Sequence, residues 1–158
     1  MNDALLERRS VFQGRVVNLS VDRVRLPNGR ICALEMVRHP GAAAVLPVDD
    51  EGHAVLVRQY RYAAGGWLLE VPAGKLDHGE PPAECAVREV EEEVGHRVGD
   101  LRELGAIFTT PGFTDEIIWL YEAHDLTPTE TAHEADEVIE VVTVEFAEAV
   151  AAVRDGRI

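Results

Sequence analysis

Apolar and polar residues alternate with a period of two through the first third of the chain, which predicts strands at 11–17, 19–26 and 31–37. Pro27-Asn28-Gly29 supplies a turn between the second and third of these. Segments 42–48 and 54–60 carry apolar residues at both parities, as strands covered on both faces do. Asp49-Asp50-Glu51-Gly52 between them predicts a hairpin. A short strand at 67–71 runs into Pro72-Ala73-Gly74. The period then changes. Pro81-Pro82 suits a first helical turn, Ala83, Ala86, Val87, Val90 and Val94 make a narrow apolar stripe, and Gly95 supplies a stop. Strands return at 101–108, 117–121 and 138–144, and a last helix covers 145–154. Strands joined mostly by hairpins, with one helix inserted mid-chain, predict an α/β fold with a central mixed sheet flanked by helices.

The length of 158 residues suits a single domain, 1–158. Fifteen Lys and Arg against 29 Asp and Glu leave a net charge of −14. A surface built for nucleic acid or anionic lipid needs many cations, so both are excluded as partners. A small phosphorylated ligand is not, because a few arginines and a bound cation suffice to hold one. Cys32 and Cys85 lack metal-ligand spacing and, with the polar segment 1–10, point to a reducing cytoplasm. The longest purely apolar run, 42–46, is far too short to span a membrane.

The chemistry concentrates in Arg88-Glu89-Val90-Glu91-Glu92-Glu93-Val94-Gly95. On a helix Glu89, Glu92 and Glu93 stand at i, i+3 and i+4 and share one face. Each like-charged pair costs roughly 0.2–0.5 kcal/mol, and the helix dipole disfavours anions in the last turns. A divalent cation would turn that repulsion into coordination, and an all-oxygen set suits Mg²⁺ or Mn²⁺. A solvated helix face also accounts for a glutamate cluster taken alone.

The wider spacing is more specific: Gly74, five residues, Glu80, seven residues, then Arg88-Glu89-Val90-x-Glu92-Glu93-x-Gly95. This resembles the signature of the Nudix hydrolases, a loop–helix–loop that here spans 74–96. His96 departs from it, where the family usually has a bulky apolar residue. Val57-Arg58-Gln59-Tyr60-Arg61-Tyr62, Leu69-Glu70-Val71-Pro72-Ala73-Gly74 and Pro111, sixteen residues after Gly95, are similar to the ADP-ribose pyrophosphatase branch. The resemblance runs over nearly the whole chain.

The resemblance implies a Nudix-type α/β/α sandwich preceded by antiparallel strands in 1–40, which would pack against a partner as a homodimer. It implies one to three Mg²⁺ or Mn²⁺ ions on Glu89, Glu92 and Glu93, with the carbonyl of Ala73 and Glu137 completing the shell. Gly74, Glu80, Arg88, Gly95 and Pro111 would be structural support. The catalytic base would be Glu137, Glu134 or a helix glutamate such as Glu92 or Glu93. Arg61 ends an apolar strand and would clamp phosphate through paired hydrogen bonds, with Arg38 a weaker candidate of the same kind. Glu70 and Phe113 complete the substrate-binding set, although strand aromatics more often belong to a core. The implied reaction is hydrolysis of ADP-ribose to AMP and ribose 5-phosphate. Alternatives are another nucleoside diphosphate sugar such as GDP-mannose, or a domain that senses a nucleotide without cleaving it.

Overall fold

Strand β5 (His53–Arg61) is buried on both faces. Val55 and Val57 join one apolar cluster while Ala54 and Leu56 join another. The strand's period of two sends successive side chains to opposite sides. That both-parity apolar pattern positions the layers of this computed structural model, which describes residues 4–133 and 137–158.

The other elements are β1 (Leu5–Gln13), β2 (Asn18–Arg25), β3 (Ile31–Arg38), β4 (Ala42–Pro47), β6 (Gly66–Glu70), β7 (Ala73–Lys75), α1 (Pro82–Val94), β8 (His96–Phe108), β9 (Ile117–Pro128), β10 (Ile139–Glu145) and α2 (Phe146–Asp155). They form three sheets, ordered β1-β2-β3, β10-β5-β6 and β7-β4-β9-β8. The chain divides into two compact units, Met1–Gly41 with Ile107–Ile118, and Ala42–Ala106 with Trp119–Ile158.

In the second unit α1 packs on β4, β7 and β5, while α2 packs on β5 and β10. Val45, Val57, Val90, Val94 and Tyr121 lie in the α1-side core, and Ala149 of α2 covers Leu56 on the other side. This is an α/β/α arrangement. Among the described residues no helix is long and apolar enough to cross a membrane.

In the first unit β1, β2 and β3 form an antiparallel meander. Buried Asp22 of β2 pairs with Arg8 and Arg38, and Arg38 also reaches Asp115 at 2.7 Å. Leu5, Leu6, Val11 and Phe12 on β1 remain exposed.

Several expectations need correction. The first strand is Leu5–Gln13 rather than 11–17, because the Gly14 N–H donates to the Val17 carbonyl and turns the chain there. Segments 42–48 and 54–60 are joined by the expected turn, yet they pair only at Val48 and Ala54 and then diverge into different sheets. Strand β8 begins at His96, directly after the helix, not at 101. The helix stripe holds at Ala86, Val90 and Val94, which are buried, but Ala83 is exposed and Cys85 is buried in addition.

Candidate active site

Helix α1 starts with Pro82 in its first turn, where the missing N–H is no loss, and stops at Gly95, whose φ of +67° is left-handed. A side chain at Gly95 would also place its Cβ 2.9 Å from the Thr129 carbonyl oxygen. The buried side of the helix consists of Cys85, Ala86, Glu89, Val90, Glu93 and Val94. Two of the three singled-out glutamates therefore lie inward, with Glu89 8% and Glu93 4% exposed. Glu92 is half-buried. A merely solvated charge run would keep its carboxylates in water, because a carboxylate withdrawn from water is costly unless compensated.

The strand that faces these carboxylates is β7, paired with β4 so that Ala73 lies opposite Ala44 and Gly74 opposite Ala43. The Ala73 N–H donates to Glu93 Oε2 at 3.1 Å. Gly74 leaves the space that Glu89 fills: a Cβ there would meet Glu89 Oε1 at 1.7 Å. Arg88 organises the remaining charges. Its Nη1 donates to Glu89 at 2.6 Å and to Glu92 at 3.0 Å, and its Nε and Nη2 donate to the two oxygens of Glu80 at 2.8 and 3.0 Å. The Asp77 N–H also donates to Glu80 at 2.8 Å. Arg88 and that amide hold the Glu80 carboxyl down at about 2. These contacts tie Glu80, Arg88, Glu89 and Glu92 together.

Ala73, Gly74, Glu89, Glu92, Glu93 and Glu137 line a cavity of about 370 Å³, with Lys75 and Arg88 among its other walls. Burial, reinforced by Glu89 and Glu137 and opposed by the Ala73 N–H, pushes Glu93 up to about 8. Burial also raises Glu89, against the pull of Arg88. Like charges crowded in a desolvated oxygen-lined cavity resist ionisation, and a cation removes that resistance. The residues present fit a hard divalent ion of the Mg²⁺ or Mn²⁺ kind, which takes oxygen ligands.

The other expected site residues lie as follows. Glu137 is in the cavity with the helix glutamates. Glu134 lies outside the described residues. Arg61 ends β5 and is engaged by Glu70, its Nη2 donating to Glu70 Oε2 at 2.7 Å. Those two expected binding residues are brought together as an ion pair, and the Glu93 and Glu137 charges also act on Arg61. Arg38, Pro111 and Phe113 belong to the first unit, where Arg38 is engaged by Asp22 and Asp115 and Phe113 is exposed.

Sequence reasoning missed three neighbours. Cys85 places its Sγ 3.5 Å from the Gly74 carbonyl oxygen and 3.4 Å from Arg88 Nη2. Asp77 supplies the amide to Glu80, and His133 Nε2 lies 2.8 Å from the Glu93 carbonyl oxygen. None carries a spacing signal: Asp77 acts through a backbone amide that any residue but proline supplies, and the Cys85–Gly74 and His133–Glu93 contacts join positions 11 and 40 residues apart. Asp49, Glu51 and His53 also bring ligand atoms together, but this group sits on the β4–β5 turn, and His53 already bonds Asp49 and Glu145.

The fold and this loop–helix–loop place the chain in a known class: it belongs to the NUDIX domain family, whose pattern it matches over residues 37–157. It is similar to the ADP-ribose pyrophosphatase of Bacillus subtilis (strain 168), 40% identical over 94% of this chain and 82% of that one. It is also similar to the methanol dehydrogenase activator of Bacillus methanolicus, 42% identical over 97% of this chain and 84% of the relative. Among solved structures, that of an ADP compounds hydrolase superposes with a TM-score of 0.79, at 26% identity, over 95% of this chain and 82% of that one.

Proposed function

We propose that this protein is a divalent-cation-dependent pyrophosphohydrolase that cleaves ADP-ribose with water to AMP and ribose 5-phosphate. The observation that carries the reaction class is the burial of Glu89 and Glu93 beside β7, in a cavity with Glu92 and Glu137 and few compensating cations. The substrate follows from the similarity to an ADP-ribose pyrophosphatase and to an ADP compounds hydrolase.

In this reading Glu89, Glu92, Glu93 and Glu137, with the carbonyl of Ala73, would hold Mg²⁺ or Mn²⁺. Such an ion supplies charge neutralisation of the pyrophosphate and a more acidic water. The chain's own groups do the rest. Arg88 fixes the rotamers of Glu89 and Glu92, and Glu80 fixes Arg88. The Ala73 N–H orients Glu93. Glu137 is the candidate base, and Arg61 would leave part of its pairing with Glu70 to meet a phosphate oxygen. Comparing kcat/KM for ADP-ribose, GDP-mannose, NADH and diadenosine polyphosphates in Mg²⁺ tests the proposal. ADP-ribose should lead. A clear preference for another substrate would overturn that assignment while leaving the reaction class.

A second reading is a regulator that binds a nucleotide without turnover, since a fold does not fix a function. Tight ADP-ribose binding with no AMP release would establish it.

The protein is further proposed to act in the cytoplasm as a homodimer joined through the strands of 1–40. The exposed Leu5, Leu6, Val11 and Phe12 on the edge strand β1 support that contact. A stable dimer of this kind buries more than about 1,200 Å². Light scattering should give twice 17.4 kDa, and a 17.4 kDa species at micromolar concentration would refute the dimer.

A further inference from the structure

The C-terminal end of α1 is closed by a distant segment, residues 129–133. The last carbonyls of a helix have no intrahelical donor. Gly95 N–H turns back to the Glu91 carbonyl. The Ala132 N–H donates to the Glu92 carbonyl at 2.8 Å, the Thr129 N–H donates to the Gly95 carbonyl at 2.7 Å, and His133 Nε2 lies 2.8 Å from the Glu93 carbonyl oxygen. A carbonyl only accepts, so His133 must carry its proton on Nε2.

Glu92 and Glu93 therefore use their carboxylates to line the cavity and their carbonyls to hold this segment. The amides of Thr129 and Ala132 would be present with any non-proline residue. His133 is the one side chain among the three donors.

We infer that His133 is a positioning residue, which fastens segment 129–133 onto the backbone of the helix glutamates and so steadies the helix end from which the Glu92 and Glu93 carboxylates enter the cavity. The inference rests on the reading of the cavity as the hydrolytic site. It assigns a role to a histidine that touches no substrate and is not part of the loop–helix–loop spacing.

Two substitutions separate the ring from its hydrogen bond. His133→Phe keeps a ring of similar size without the donor, and His133→Gln keeps an N–H donor of similar reach. In His133→Phe the kcat for ADP-ribose should fall about tenfold with KM within about twofold, the scale of one lost hydrogen bond. Amide exchange at Thr129 and Ala132 should quicken by a similar factor. His133→Gln should restore most of both. A purely structural role would lower the melting temperature and leave kcat per folded molecule unchanged. Full kcat in His133→Phe, or unchanged amide protection there, would overturn the inference. If the wild-type chain hydrolyses no ADP-ribose, the functional reading fails, and the protection pattern alone still decides whether His133 clamps the segment.

Discussion

The Glu89 carboxylate occupies the space that a side chain on Gly74 would need, with Oε1 1.7 Å from the position of a Cβ there. The glycine is thus required by a close approach. Arg88 donates to that carboxylate at 2.6 Å, so it cannot swing away without breaking the contact.

Gly74→Ala should therefore displace Glu89 and detach it from Arg88. Overpacking of this kind costs about 1–3 kcal/mol, and misplacing a group at a reacting centre costs roughly 10- to 100-fold in rate. Thermal melts and kcat measurements check both. An alanine variant with wild-type melting and turnover would show that Glu89 has room to move.

Glu80 should govern part of the acid stability. Its carboxyl titrates near 2 in the fold against an ordinary value of 4.5, because Arg88 donates to both oxygens. A depressed carboxylate contributes stability that is complete above about 4.5 and is lost as the pH falls through about 2. Glu80→Gln should cost about 1–3 kcal/mol at neutral pH and flatten the stability profile across that acid window. Urea unfolding at a series of pH values measures it. A variant with the same acid slope as the wild type would contradict the assignment.

His53 should have the opposite sign. Its Nδ1 lies 3.0 Å from Asp49 and 3.6 Å from Glu51, and its Nε2 lies 3.0 Å from Glu145. A neutral imidazole can donate only one of these bonds, and the Asp49 and Glu145 contacts raise its pKa above 6.5. Its contribution is present below about 6.5 and is lost as the pH rises through the raised value. An NMR titration of the ring protons should place the midpoint above 6.5. A midpoint at or below it would remove this contribution.

The sequence pattern disclosed the layers better than the edges. The both-parity apolar runs of β4 and β5 marked the strands that α1 and α2 cover, because burial on two faces leaves no polar alternation. That these neighbours enter different sheets was not legible, since a turn signal fixes chain reversal and not pairing partners. The box spacing located Glu80, Arg88 and the three glutamates, and they do converge. Its apolar stripe holds at Ala86, Val90 and Val94 but is only part of the inward face, because hydrophobicity treats every glutamate as exposed, whereas Glu89 and Glu93 also point inward. The ion pair of Arg61 with Glu70 and the contact of His133 with Glu93 join residues with no shared local pattern, so only the folded chain reveals them.

In the proposed function Glu93 stays buried because it serves a cation, at a cost to the empty fold. Glu93→Gln keeps the volume and an oxygen that can accept from the Ala73 N–H, and it removes the charge that burial, Glu89 and Glu137 oppose. The most direct test is one paired measurement on this variant, turnover of ADP-ribose in Mg²⁺ and the melting temperature with and without Mg²⁺. Turnover should fall roughly 10²–10⁴-fold, the range for losing a key electrostatic group. The cation-free melting temperature should be unchanged or higher, and the rise that Mg²⁺ gives the wild type should shrink, because a ligand stabilises only the state that binds it. Full turnover with an unchanged response to Mg²⁺ would contradict the account.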